Sequence, residues 1–448
     1  MTQAQTENIK CGYVAIVGRP NVGKSTLFNQ LAKKNIAIVD DLPGVTRDRN
    51  YLDVTYDNKP FILIDTGGFD PFDDDKLSAV VKEQAQIAAE EADVIVFLMD
   101  GQTGLHHSDE EIHRIIQRSN KKVYYVVNKL EKEKERDSAF EFYSLGVEKI
   151  FAVSAKNNIG INDLFDEISA DFQEYEEADK DVNETVVAIV GRPNVGKSSI
   201  INKILGKDRF IVSDIAGTTR DSVDTLLKYN NSSIRIIDTA GIRRKSRISF
   251  KLEKYSVITA LRSISASDLT ILLLNAEDGV TSQDMKLASQ IFDRKKACII
   301  AVNKWDLIEK DNKSYEDFVK KVRDDLSFMD FAPVIPVSAL TGQRVRRILD
   351  LILEIGETYK KRVPTSVFNK KLMEIYDRNP SPKNRRNRTR LYYGTQVKSS
   401  PPIFKIFTNN PGSFPDHYLK YLERSIRDEF EFNGVPVCLQ FASRKSES

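Results

Sequence analysis

The eight residues GRPNVGKS begin at Gly18 and recur unchanged at Gly191. A glycine, four residues, a second glycine and then Lys-Ser is the spacing of a loop that holds phosphates. Glycine lets the main chain approach an anion closely, and successive amides at the start of a helix face its negative charge. In the first copy the candidates for this cradle are Gly18, Asn21, Val22, Gly23, Lys24, Ser25 and Thr26; their counterparts are Gly191, Asn194, Val195, Gly196, Lys197, Ser198 and Ser199. Lys24 and Lys197 would reach the terminal phosphates, and Ser25 and Ser198 would ligate Mg²⁺.

The companions of each loop say what else is bound. Asp65 and Gly68 in DTGG, and Asp238 and Gly241 in DTAG, each follow an apolar run. There the carboxylate suits a magnesium-bound water and the glycine amide a γ-phosphate. Thr46 in GVTRD and Thr219 in GTTRD offer a hydroxyl that completes the magnesium shell only when that phosphate is present, an order-to-disorder switch. With Lys24, Lys197, Gly68 and Gly241, these threonines form the expected catalytic set. Base identity is expected from Asn303, Lys304 and Asp306 of NKWD, whose carboxylate can accept from guanine N1–H and N2 together. Sites matched in this way reject the wrong ligand by about 10⁴ to 10⁵. Ser338 and Ala339, like Ser154 and Ala155, would supply main-chain donors to guanine O6. The first copy reads NKLE: Asn128 and Lys129 are kept, but Glu131 stands in the place of Asp306, so a weaker guanine preference is expected. Phe69 and Ile242 follow the two DxxG motifs, where a glutamine would orient water, so slow intrinsic hydrolysis is expected.

These residues must be carried by a repeated domain. An offset of 173 relates Gly18 to Gly191, Thr46 to Thr219 and Asp65 to Asp238, and it drifts to 175 at Asn128 and Asn303 and to 184 at Ser154 and Ser338. A period of that size means two tandem domains. In each, near-continuous apolar runs (YVAIV, FILID, VIVFLM, VYYVV; then VVAIV, IRIID, LTILLLN, ACIIAVN) alternate with amphipathic stretches. This pattern predicts an α/β fold with a doubly wound, mostly parallel sheet. The expected division is residues 1–175, an acidic linker at 176–184, a second domain at 185–359 and a third at 360–448. For the last, the order helix, strand, strand, helix, strand from Thr365 predicts an α+β module with Tyr418, Leu419, Leu422, Ile426 and Phe430 in its core.

Composition narrows the setting. The 448 residues are 41% hydrophobic and 29% charged, the profile of a globular protein. Three scattered cysteines suit a reducing compartment, and no apolar run approaches the length of a membrane span. A cytoplasmic protein is expected. From Lys360 onward the balance is 18 Lys and Arg against 8 Asp and Glu, while the whole chain carries +2, so the basic character sits in the tail. Lys383, Arg385, Arg386, Arg388 and Arg390 are the candidates for nucleic-acid phosphates, and Tyr392 and Tyr393 beside them are open to either base stacking or core packing. His106, His107, His113 and His417 form no ligand set and are expected at the surface.

Together, the two phosphate loops, the paired TRD segments, DTGG with DTAG, and NKLE with NKWD resemble the Der (EngA) tandem-domain GTPases of bacterial ribosome assembly, over almost the entire chain. The resemblance implies two P-loop GTPase domains, a C-terminal KH-like domain and action on the large (50S) ribosomal subunit and its rRNA, by a monomer with no membrane attachment. It implies GTP/GDP and Mg²⁺ as ligands, and K⁺ held with the help of Asn21 and Asn194. The tail lacks the GXXG loop by which KH domains clamp a nucleic-acid backbone. Two other readings start from the same residues: a first domain that senses nucleotide while only the second hydrolyses it, and a GTPase of tRNA modification.

Overall fold

The computed structural model describes residues 12–34, 51–57, 59–65, 82, 85–86, 88–89, 92–172, 184–206, 212–216, 223–230, 232–237, 255–308, 312–381, 383–384 and 387–443. The chain divides into two compact units, the first ending at Asp179 and the second running from Lys180 to Ser448.

In the first unit the described elements are β1 (Gly12–Val17), α1 (Lys24–Lys34), β2 (Tyr51–Tyr56), β3 (Lys59–Asp65), β4 (Val94–Asp100), α2 (His107–Gln117), β5 (Lys122–Asn128), a 3-10 helix (Glu133–Leu145), β6 (Ile150–Ala152) and α3 (Ile161–Ala170). The sheet order is β2-β3-β1-β4-β5-β6, parallel except for β2. Every residue of β1 and β4 is buried, as expected of central strands covered on both faces. The antiparallel strand β2 was not foreseen from the apolar runs, because YLDVTY is half polar. Its signal was the two-residue link Asp57-Asn58 between strands, where Asp57 takes φ 49°. After α3, the buried Phe172 closes the core against Phe61, with ring centroids 5.2 Å apart.

The second unit repeats the plan with β7 (Glu184–Val190), α4 (Lys197–Leu205), β8 (Val212–Ala216), β9 (Val223–Tyr229), β10 (Ser232–Ile236), α5 (Tyr255–Ala266), β11 (Leu269–Asn275), α6 (Ser282–Asp293), β12 (Ala297–Asn303), α7 (Asn312–Asp325), β13 (Val334–Pro336) and α8 (Val345–Lys360). Its order is β13-β12-β11-β7-β10-β9-β8, with β9 antiparallel to both β10 and β8 and every other pairing parallel. Both sheets are mostly parallel, as the near-continuous apolar runs predicted.

From α8 the chain continues into α9 (Thr365–Arg378), a short ribbon of β14 (Lys383–Asn384) and β15 (Asn387–Arg388), then β16 (Leu391–Lys398), β17 (Ile403–Thr408), α10 (Asp416–Glu429) and β18 (Cys438–Ser443). This is the expected order, with the basic segment drawn into a ribbon and the last strand two residues later than its apolar run suggested. Tyr418, Leu422, Ile426 and Phe430 are buried and Leu419 packs beside them. One apolar cluster runs from Ile352, Ile355 and Tyr359 of α8 into Phe368, Phe404 and Phe432, so this C-terminal module and the second nucleotide domain share a core. Main-chain bonds reinforce it: Cys298 N–H donates to Gly434 O at 2.9 Å, and Gly434 N–H to Phe331 O at 2.9 Å. Gly434 sits at φ 75°, where a Cβ would lie 2.4 Å from Ile355 Cδ1, so glycine is required by both conformation and space. Among the described residues no helix is long and apolar enough to cross a membrane.

Candidate nucleotide sites

The loop from Gly18 to Ser25 joins β1 to α1, and Gly191 to Ser198 joins β7 to α4. In both, an asparagine takes the left-handed region (Asn21 φ 65°, Asn194 φ 64°) and the glycine two residues later follows it (Gly23 φ 100°, Gly196 φ 99°). Such a run turns successive amides to one side and makes an anion-binding concavity. Val22 and Val195 are buried and pin each loop to the core, while Asn21, Asn194, Ser25, Thr26 and Ser199 lie at the surface. Lys24 Nζ donates to Gly18 O at 2.7 Å and to Arg19 O at 2.9 Å; Lys197 Nζ donates to Gly191 O and Arg192 O, both at 2.8 Å. Each ammonium is thus held over the loop before any phosphate arrives.

A single asparagine connects this loop to the later loop that carries Ala155 or Ala339. Asn128 Nδ2 donates to Val22 O at 2.8 Å and its Oδ1 accepts from Ala155 N–H at 2.9 Å; Asn303 does the same with Val195 O at 2.8 Å and Ala339 N–H at 3.0 Å. A Cβ on Gly23 would lie 2.3 Å from Asn128 Nδ2, and on Gly196 2.2 Å from Asn303 Nδ2, which explains the glycines more narrowly than chain freedom does. Lys129 and Lys304 follow at φ 70° and 61°, strained positions for non-glycine residues. Ser154 Oγ accepts from Asn157 N–H, and Ser338 Oγ from Thr341 N–H, fixing the loops that carry Ala155 and Ala339.

The two sites differ at the carboxylate. Glu131 is exposed and lies 3.6 Å from Lys156 Nζ, whereas the position matching Lys156 in the second copy is Leu340. Asp306 is half-buried on a 3-10 turn, next to buried Trp305. In the first site Ser25 Oγ donates to Asp65 Oδ2 at 2.8 Å, a hydroxyl and a carboxylate converging as a hard divalent cation requires. Thr46, Gly68, Thr219, Asp238 and Gly241, with Arg385 and Arg386, lie outside the described residues. So do the side chains of Lys383 and Arg388, while Arg390 is exposed.

One feature of both sites escaped the sequence reading. Arg19 Nε donates to Asp109 Oδ2 at 3.1 Å, and Arg192 Nε lies 3.4 Å from Asp284 Oδ2. Each aspartate is fully buried at the first turn of α2 or α6, accepts from the helix-capping residue (His106 or Thr281), and leaves Oδ1 without a hydrogen-bond partner among the described residues. Burial pushes the Asp109 carboxyl up, and the Arg19 guanidinium opposes that shift. The arginine carbonyl that receives the loop lysine therefore belongs to a residue moored to the next helix. The hint in the sequence was that Asp109 and Asp284 keep the 175 offset. Removing a partner from a buried pair leaves an uncompensated charge, so Arg19→Met is expected to cost the first unit about 2 kcal/mol. Amides of β1 and α2 should then exchange with deuterium roughly thirtyfold faster. A second change, Asp109→Asn, should return most of that protection.

His113 departs from its expected surface position. It is buried, its Nδ1 lies 3.1 Å from Tyr125 Oη, and burial lowers its pKa. Among the described residues no cluster of histidines, cysteines and acids could hold a metal ion by itself.

Comparison with known proteins agrees with this geometry. A family model described as a 50S ribosome-binding GTPase matches residues 13–129 and again 186–304. A second, the KH-domain-like C-terminal domain of EngA bacterial GTPase enzymes, matches 362–442. The GTPase Der of Trichlorobacter lovleyi is 48% identical over 97% of this chain and 97% of its own length, and that of Geobacter metallireducens 47% identical over 96% and 98%. GTPase Der of Geotalea daltonii is 46% identical over 96% of this chain and 98% of its own. With two P-loop domains in tandem, an asparagine tied to the phosphate loop in each, and a KH-like domain behind them, the chain belongs to the Der (EngA) family of GTPases.

Proposed function

We propose that this GTPase is a two-site switch acting in assembly of the large ribosomal subunit. The observation that carries this reading is the repeated tie in which Asn128 and Asn303 join the phosphate loop to the base-reading loop. In it, Lys24 and Lys197 meet the β- and γ-phosphates, the loop amides from Asn21 to Thr26 and from Asn194 to Ser199 wrap them, and Asp306 and Glu131 read guanine. Ser25 and Asp65, with Thr46, and Ser198 with Asp238 and Thr219, would hold Mg²⁺, which neutralises charge on the phosphate oxygens. Asn21 and Asn194 would help to hold a K⁺ ion that supplements the loop lysine, since Phe69 and Ile242 follow the DxxG motifs where a glutamine would orient water. The intrinsic rate is slow in consequence. Domains 1–175 and 185–359 bind nucleotide and 360–448 faces rRNA, with Lys383, Arg385, Arg386, Arg388 and Arg390 on its phosphates.

The test is cosedimentation of the full chain with purified ribosomal subunits in a non-hydrolysable GTP analogue, in GDP and without nucleotide. Preferential pelleting with large subunits in the analogue is expected, weakening steeply with salt as phosphate contacts demand. Pelleting that ignores nucleotide removes the switch, and a flat salt response removes the basic tail from the contact. A sensor role for the first domain is favoured by one observation, the ion pair that draws Glu131 toward Lys156.

A further inference from the structure

The three-stranded sheet of the C-terminal domain carries its helices on one face. On the other, the cross-strand partners Tyr393 and Phe407 stack with ring centroids 4.4 Å apart and planes 16° from parallel. Tyr393 belongs to β16, the edge strand in the order β16-β17-β18; Phe407 covers one side of its ring, and the residue is 43% exposed. This orientation comes from a break in register between Leu391 and Tyr393, which turns two consecutive tyrosines outward in place of one. One step along the sheet, Thr395, Lys405 and Gln440 form the next cross-strand row, and Lys405 Nζ lies 5.7 Å from the Phe407 ring. Lys405 makes no ion pair among the described residues. Between Asp377 and Asp416 the sequence contains no acid at all, against eight lysines and arginines.

A half-exposed aromatic stack, a cation beside it and the amide of Gln440 in the same row match unpaired bases on a negatively charged strand. A protein partner gives no reason for the missing acids, and a duplex keeps its base faces covered. We propose that this open sheet face, separate from the basic ribbon, is a stacking platform for single-stranded RNA, with one base extending the Phe407–Tyr393 stack and Lys405 on the adjacent phosphate. The proposal rests on the reading that the C-terminal domain meets RNA, and it assigns that contact to a face and to a strand state. Base stacking tolerates sequence because every base has a flat face, so the platform recognises unpaired character and not a particular order of bases.

The test measures anisotropy of a fluorescein-labelled, mixed-sequence single-stranded RNA of about 12 nucleotides and of a duplex of equal length, with the full chain and with Tyr393→Ala, Tyr393→Phe and Lys405→Gln. Tyr393→Ala should weaken single-strand binding about tenfold while leaving the salt slope and duplex binding unchanged, and Tyr393→Phe should bind as the parent does. Lys405→Gln should reduce the salt slope by about 0.7. Equal single-strand affinity of Tyr393→Ala and parent overturns the platform, as does an equal loss for single strand and duplex. An unchanged RNA affinity with lost subunit pelleting would make the face a protein dock and also overturn it. Nucleotide-dependent subunit pelleting by the same proteins tests the broader reading separately, since it can persist when the platform fails.

Discussion

Lys24→Ala and Lys197→Ala will each silence the loop that carries them, lowering GTP turnover at that site by about 10² to 10³, the loss typical of removing one preorganised donor from developing charge. The structure explains why the loss should be large. Each ammonium is already held by two carbonyl oxygens of its loop, at 2.7 to 2.9 Å, so little reorganisation is needed when phosphates arrive. Single-turnover phosphate release from the two variants apportions hydrolysis between the sites. If both domains are enzymes, each variant keeps the other site's rate; if the first is a sensor, Lys197→Ala alone abolishes turnover. Trp305, the only tryptophan, lies beside Asp306 and gives a fluorescence signal belonging to the second site.

Asp306→Asn should exchange the second site's preference from guanine to xanthine nucleotides. A carboxylate accepts from N1–H and the N2 amine, whereas an amide can donate to the C2 oxygen that xanthine carries in its place. Leaving a buried donor unpaired is the kind of mismatch worth about 10⁴ in discrimination, and a shift of at least 10² in the GDP-to-XDP affinity ratio is expected, read by Trp305 fluorescence. Glu131→Gln at the first site should shift that ratio less, because Glu131 is exposed and shares its charge with Lys156. Equal shifts at the two sites would show that the longer side chain reads the base as well as Asp306 does.

Much of this was legible because phosphate and base recognition place their residues within a few positions of one another. GRPNVGKS and NKWD each lie on one turn after one strand, so spacing alone announces them. The edge strands β2 and β8 were not legible from hydropathy, since an edge strand pairs through its main chain and needs few apolar side chains. The Arg19–Asp109 pair lies 90 residues apart in sequence and needed the sheet to bring it together. Tyr392 and Tyr393 were open to stacking or core packing in the sequence; a bulge, invisible in a pattern of two, exposes both. Thr46, Thr219 and the DxxG glycines, which would sense the third phosphate, fall outside the described residues.

Strand β12 has a further consequence. Near its beginning, Cys298 is bonded through its amide to the loop of the KH-like domain, and at its end the Asn303 side chain is bonded to Val195 of the phosphate loop and to Ala339. The seat of the tail and the tie between the phosphate loop and Ala339 are thus fixed to the two ends of one seven-residue rod. If rRNA tugging on the tail loosens GDP, then GDP must loosen the grip on rRNA by the same factor, since the thermodynamic cycle closes whichever ligand enters first.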